Sequence, residues 1–297
     1  MAALIRDQMP PSIDWFLGQE LADPYEHFRE VGKLAIAWCI GEAEQDGNEG
    51  LVPVPVGARG AAGTAPPHWF RTLWQSLGVR NVEDVQVLID QHRLRVITFN
   101  YERTFEQFLS NRIRALHLAR AATALRVEAV EKQLRDFRVL HVYGDLGDLS
   151  AAPLGQIARE IKVCIRIGEI TANLLGAVQS AAKRLSVMPT TRSADYEVTF
   201  STARQWISQA DRLVFLGFGF DETNLRALGF PELAKRSSQV FATTFGLGAA
   251  ARNDVCQRIT KDWVDGDLVP GIAHEHQGWD IEKYLLHFQP LRNIASS

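Results

Sequence analysis

Four short apolar runs, each closed by small or polar residues, constrain this chain more than any other feature. They are Leu94-Arg95-Val96-Ile97-Thr98-Phe99, closed by Asn100; Arg138-Val139-Leu140-His141-Val142, closed by Tyr143-Gly144-Asp145-Leu146-Gly147; Arg212-Leu213-Val214-Phe215-Leu216, closed by Gly217-Phe218-Gly219; and Val240-Phe241-Ala242-Thr243-Thr244-Phe245, closed by Gly246-Leu247-Gly248. Runs of this length, rich in β-branched and aromatic residues, read as strands of a sheet covered on both faces. The stretch from Asn111 to Phe137 is rich in Ala, Leu, Arg and Glu and reads as helix, as do Ile170 to Leu185 and Phe200 to Gln209. Strands alternating with helices predict an α/β fold, a parallel sheet with helices on both faces. Ligands bind such sheets at the carboxyl ends of the strands, so all four closing motifs are expected to open onto one edge.

The chain has 297 residues, 46% of them apolar, which is enough to bury a sizeable core. A single domain over 1–297 is expected, with a mobile loop at about 52–67 and a frayed tail at about 294–297. The loop expectation comes from Pro53, Pro55, Pro66, Pro67, Gly57, Gly60 and Gly63, with Arg59 the one charge among them. A net charge of -3 gives no general attraction to nucleic acid or to an anionic membrane. The basic residues between Arg103 and Arg138 are interrupted by Glu128, Glu131 and Asp136, and read as a solvated helix face. Cys39, Cys164 and Cys256 are far apart, which fits buried small hydrophobes in a reducing cytoplasm and argues against a zinc knuckle or disulfide framework. No apolar run approaches the ~20 residues of a membrane helix. Arg6 and Asp7 stand where a signal peptide would be apolar, so the cytoplasm is the expected compartment.

Each motif carries a functional and a structural reading. Asn100 and Glu102 bring a carboxamide and a carboxylate just past a strand; the amide suits a water or ribose hydroxyl, and equally an N-cap or Asx turn. His141 is the best placed histidine, with an ordinary pKa of about 6.5 that suits general base work, although strand-end histidines commonly make structural hydrogen bonds. Gly246-Leu247-Gly248-Ala249-Ala250-Ala251 matches Gly-x-Gly-x-x-Ala after a strand and before a helix, the placement that phosphate binding requires; a tight turn touching the adenosine end of a ligand is the other reading. His274-Glu275-His276 is poor support for a metal site, and none is expected. Trp15, Trp38, Trp69 and Trp74 suit an interface or, more commonly, a core. The loops diagnostic of P-loop ATPases, zinc proteases and α/β-hydrolases do not occur.

Taken in order, these motifs resemble the sirtuin-like domains of bacterial proteins, many of them NAD-consuming effectors of antiphage defence. Ser12-Ile13-Asp14-Trp15-Phe16-Leu17 is similar to that family's early segment, and Ile97-Thr98-Phe99-Asn100-Tyr101-Glu102 to its first polar strand end. His141-Val142-Tyr143-Gly144-Asp145-Leu146-Gly147 and Phe215-Leu216-Gly217-Phe218-Gly219-Phe220, followed by Asn224-Leu225, are similar to its later two. The resemblance spans Ser12 to about Gly248. It implies a Rossmann-like fold with helical insertions, holding NAD as substrate across the strand ends. It also implies that Asn100 positions the water or nicotinamide ribose beside Thr98 and Glu102, and that His141 or Tyr143 activates the attacking oxygen. Gly217, Phe218, Gly219, Asn224 and Gly246 would face the rest of the dinucleotide.

The departures from the family set further expectations. Eleven residues precede Ser12 and none is glycine, so the family's first strand and Gly-Ala-Gly phosphate loop are expected to be missing and pyrophosphate affinity to fall. Tyr143, with an ordinary pKa of about 10, stands where deacylases carry a histidine, while His141 would share its face by strand alternation. Glu102 replaces an aspartate, and the zinc-binding cysteines of the deacylases are absent. NAD hydrolysis is therefore expected over deacylation. The competing expectation is a non-catalytic module that binds a nucleotide, ADP-ribose or a protein, as a homo-oligomer or beside a defence-system partner.

Overall fold

A computed structural model of the chain describes residues 27–48, 68–120, 127–147, 172–186, 194–230, 232, 239–259, 279–292 and 294–295. In chain order the elements are α1 (Phe28–Asn48), α2 (His68–Ser76), α3 (Val82–Asp90), β1 (Val96–Thr98), α4 (Thr104–Arg120), α5 (Val127–Asp136) and β2 (Val139–His141). They continue with α6 (Ala172–Arg184), α7 (Ala194–Gln209), β3 (Arg212–Phe215), α8 (Glu222–Leu228), β4 (Gln239–Ala242), α9 (Ala249–Ile259) and α10 (Ile281–Phe288). All four expected strands are present, each shorter than its apolar run. The helix read over Asn111 to Phe137 is two helices, with 121–126 outside the described residues.

The strands pair two by two. β1 and β2 are parallel with Val96 opposite Val139, Ile97 opposite Leu140 and Thr98 opposite His141. β3 and β4 are parallel with Arg212 opposite Gln239 through to Phe215 opposite Ala242. Parallel pairing matches the expectation, but among the described residues the four strands form two separate two-stranded sheets. Among the described residues each strand has one neighbour, and β1 and β2 are half-buried throughout instead of covered on both faces.

The two sheets lie in different compact units. The first comprises Met1–Pro66 and Val96–Glu197, and the second Pro67–Arg95 and Val198–Ser297. In the first, α1 packs on α6 and α4, and α4 packs on α5. Phe108, Leu109 and Ile113 of α4 are buried there with Val178, Ala181 and Leu185. In the second, α2 packs on α10. Its core includes Leu73, Trp74, Leu88, Leu228, Tyr284 and Leu285, so Trp74 takes the core role. The cap of α3 shows how locally such helices are set. The Asn81 side chain accepts from the Asp84 N–H at 2.9 Å and the Asp84 carboxylate accepts from the Asn81 N–H at 3.2 Å.

No helix of the described residues is long and apolar enough to cross a membrane. The segment Ser12–Leu17, the 52–67 loop, Trp15, Cys164 and His274–His276 lie outside the described residues.

Candidate functional site

The end of β1 is a polar turn leading into α4. Past Thr98 the ladder closes with the Val142 N–H donating to the Thr98 carbonyl at 3.0 Å. The Asn100 N–H then donates to the Thr98 hydroxyl at 3.1 Å, which turns the chain and leaves Asn100 exposed. Its carboxamide Nδ2 donates to Glu102 Oε1 at 3.3 Å. The other Glu102 oxygen accepts from the Thr104 N–H at 2.7 Å and from the Thr104 hydroxyl. Glu102 thus satisfies an orphan donor at the start of α4, where a negative charge also suits the helix dipole. The structural reading of a capping group falls on Glu102, and Asn100 is left facing solvent.

His141 sits beside this turn. Its Nδ1 lies 2.7 Å from the Asn100 backbone carbonyl, and its Nε2 meets Oε1 of Glu106. The side chain is only 6% exposed. Burial lowers the affinity of the ring for its second proton. The hydrogen bond and charge of Glu106, the Asn100 carbonyl and the Asp145 charge outweigh it and raise the pKa above 6.5. Both ring nitrogens are engaged, so the imidazole has no free lone pair for a water.

Tyr143 is buried and edge-on to Phe99, with ring centroids 5.6 Å apart. β2 ends at His141, and the Gly144 N–H closes a turn onto the His141 carbonyl at 3.2 Å. Strand alternation therefore does not extend to Tyr143, and its shared face with His141 does not follow. The turn is held tightly. Gly144 has φ +86, and a Cβ there would come 2.0 Å from the Arg184 carbonyl oxygen. Asp145 Oδ1 accepts from the Gly147 N–H at 2.7 Å and from Arg184 Nε at 2.9 Å. Buried Arg103 donates to the Gly147 carbonyl at 2.8 Å, and the Tyr101 hydroxyl donates to the Ser186 carbonyl at 3.3 Å.

The second unit builds its own strand end. The Thr243 N–H donates to the Phe215 carbonyl at 2.9 Å, and the Thr243 hydroxyl accepts from the Gly217 N–H at 2.8 Å. Gly217 has φ +61, and an added Cβ would press on Ile281 at 3.3 Å. Phe218 lies 5.8 Å from Phe215 and 5.3 Å from Phe220, centroid to centroid. Gly219 is exposed, with open space where a Cβ would stand. Asn224 lies in the first turn of α8, where its N–H donates to the Asp221 side chain at 3.1 Å. Gly246 has φ +76 and, like Gly248, open space at its Cβ position. The Arg252 N–H donates to the Gly248 carbonyl at 3.0 Å as α9 begins. That glycine turn does lead from a strand to a helix, as its pattern requires.

The expected site residues thus fall into two sets. Thr98, Asn100, Glu102, His141 and Tyr143 belong to the first unit, and Gly217, Phe218, Gly219, Asn224 and Gly246 to the second. Sequence reasoning missed Glu106, Arg103 and Arg184. Their only local signal is polarity, because their partners lie 35, 44 and 39 residues away. Among the described residues no cluster of three or more His, Cys, Asp or Glu side chains is placed to hold a metal ion. Cys256 is buried, and burial pushes its thiol pKa up. No protein-family model, curated protein or solved structure matches this chain.

Proposed function

We propose that this chain is a sirtuin-like protein of Rossmann-like fold, cytoplasmic, that binds NAD and hydrolyses it to nicotinamide and ADP-ribose. One observation carries the reading. Asn100 is exposed at the carboxyl end of a parallel strand, and His141, 41 residues later, is hydrogen-bonded to its carbonyl. That is the edge of an α/β sheet where ligands bind, and the resemblance assigns its chemistry to the same two residues.

In this reading the Asn100 carboxamide orients water or the nicotinamide ribose while the N-glycosidic bond breaks through an oxocarbenium-like transition state. Nicotinamide leaves with the bonding electrons, water adds to the anomeric carbon, and its proton passes to solvent. His141 contributes the position of Asn100 through its contact with the Asn100 carbonyl. The test is incubation with NAD while nicotinamide release is followed. Release by the parent that falls by at least about 100-fold in Asn100→Ala supports the reading, a loss in the range of one removed transition-state contact. No release, with Asn100→Ala indistinguishable from the parent, sinks it.

A second reading has its own observation. With both His141 nitrogens engaged and Tyr143 buried, neither side chain expected to act as a base is free to accept a proton. This favours a non-catalytic module for ADP-ribose or a protein partner. Calorimetry with ADP-ribose separates the two: binding without NAD turnover supports the module.

A further inference from the structure

One side chain that meets His141 lies outside every motif. Glu106 lies in the first turn of α4. Its Oε1 meets Nε2 of His141, while its Oε2 is buried without a hydrogen-bond partner. On the far side of the ring, Nδ1 is 2.7 Å from the Asn100 carbonyl. A carbonyl only accepts, so Nδ1 carries a proton. When the ring takes its second proton, Nε2 donates to the carboxylate in a charge-assisted bond, which raises the pKa of His141. Groups from α4, β2 and the turn after β1 are therefore joined through the His141 ring.

We infer that Glu106 is a positioning residue: it fixes the His141 ring through Nε2, and the fixed ring grips the Asn100 carbonyl through Nδ1, setting where the Asn100 carboxamide faces. The link from this clamp to NAD rests on the proposed function; the clamp itself does not. A buried carboxylate oxygen left unsatisfied is costly and calls for an explanation. Turning Glu106 to satisfy Oε2 would take Oε1 off the ring and release Asn100.

The charges around the ring set the pH behaviour. Besides Glu106, the group that acts on His141 by charge is Asp145, itself paired with Arg184. The folded-state pKa of His141 is raised. The stability contributed by the clamp is therefore complete below the ordinary imidazole value of about 6.5. It is lost as pH rises through the higher folded value.

The experiment is an NMR pH titration of the full chain, following histidine ring C–H signals and the Asn100 side-chain amide. His141 is assigned among the eight histidines by the signal lost in His141→Gln. The clamp predicts that Asn100 titrates with the His141 midpoint. Glu106→Gln moves both midpoints to lower pH, and Glu106→Asp restores part of the shift. An unchanged His141 midpoint in Glu106→Gln, or Asn100 signals that ignore the His141 titration, overturns it. Should Glu106→Gln fail to fold, the parent titration alone decides, since an Asn100 amide that does not follow His141 is fatal to the clamp. Nicotinamide release from NAD is measured on the same parent protein. Release without coupled titration defeats the clamp alone, and coupled titration without release defeats the proposed function alone.

Discussion

The end of β1 and the end of β3 perform the same topological task with different materials. Around β1 the first unit sets directional polar groups, Asn100, Glu102, His141, Glu106, Asp145 and Arg184, each with a defined hydrogen-bond partner. Around β3 the second unit sets phenylalanine rings, Phe215, Phe218, Phe220 and Phe230, at centroid spacings of 5.3 to 5.8 Å, with Thr243 supplying the polar tie. Directional bonds fix individual atoms and fail singly, whereas ring packing spreads its energy over many weak contacts. The first edge can therefore orient a reacting group, and the second can offer shape and close backbone approach.

The sharpest way to break this contrast is to substitute one glycine in each edge. Gly144→Ala adds left-handed strain to a Cβ only 2.0 Å from a backbone oxygen. Together these should cost about 3 kcal/mol or more, read by urea unfolding. A cost under about 1 kcal/mol would show that the β2 turn relaxes easily and is not tightly built. The Thr243 side-chain tie of the second edge is the next target. Thr243→Val removes the acceptor for the Gly217 N–H and should cost about 1 kcal/mol by the same measurement. A cost matching Gly144→Ala would mean that the second edge also hangs on one directional bond. The smallest effect is expected from Gly219→Ala, whose new methyl meets nothing within 4 Å; stability should stay within about 0.5 kcal/mol. If Gly219 approaches a dinucleotide, the same variant should weaken NAD binding in calorimetry while leaving the unfolding curve in place.

What the residues alone determined is local. Apolar runs of a few residues closed by Asn100, Tyr143-Gly144, Gly217 and Gly246 identify four strands and their carboxyl ends, because a strand and its stop signal are written within ten residues. Helix starts such as that at Asn81 are equally local, since cap and capped amide are three residues apart. Tertiary structure decided the rest. Among the described residues the strands form two pairs, a matter of which hydrogen-bonding edges meet and not of any strand's own residues. Strand alternation stops at His141 because the chain turns onto Gly144, so Tyr143 goes to the core. Asn100 was legible as a polar strand end, but its freedom from the capping role depends on Glu102 taking it. His141 was legible as a titratable group, but its engagement depends on Glu106 and the Asn100 carbonyl, 35 and 41 residues away. A hydrogen bond is set by the angle and distance between two groups, and for partners so far apart only the folded chain fixes both.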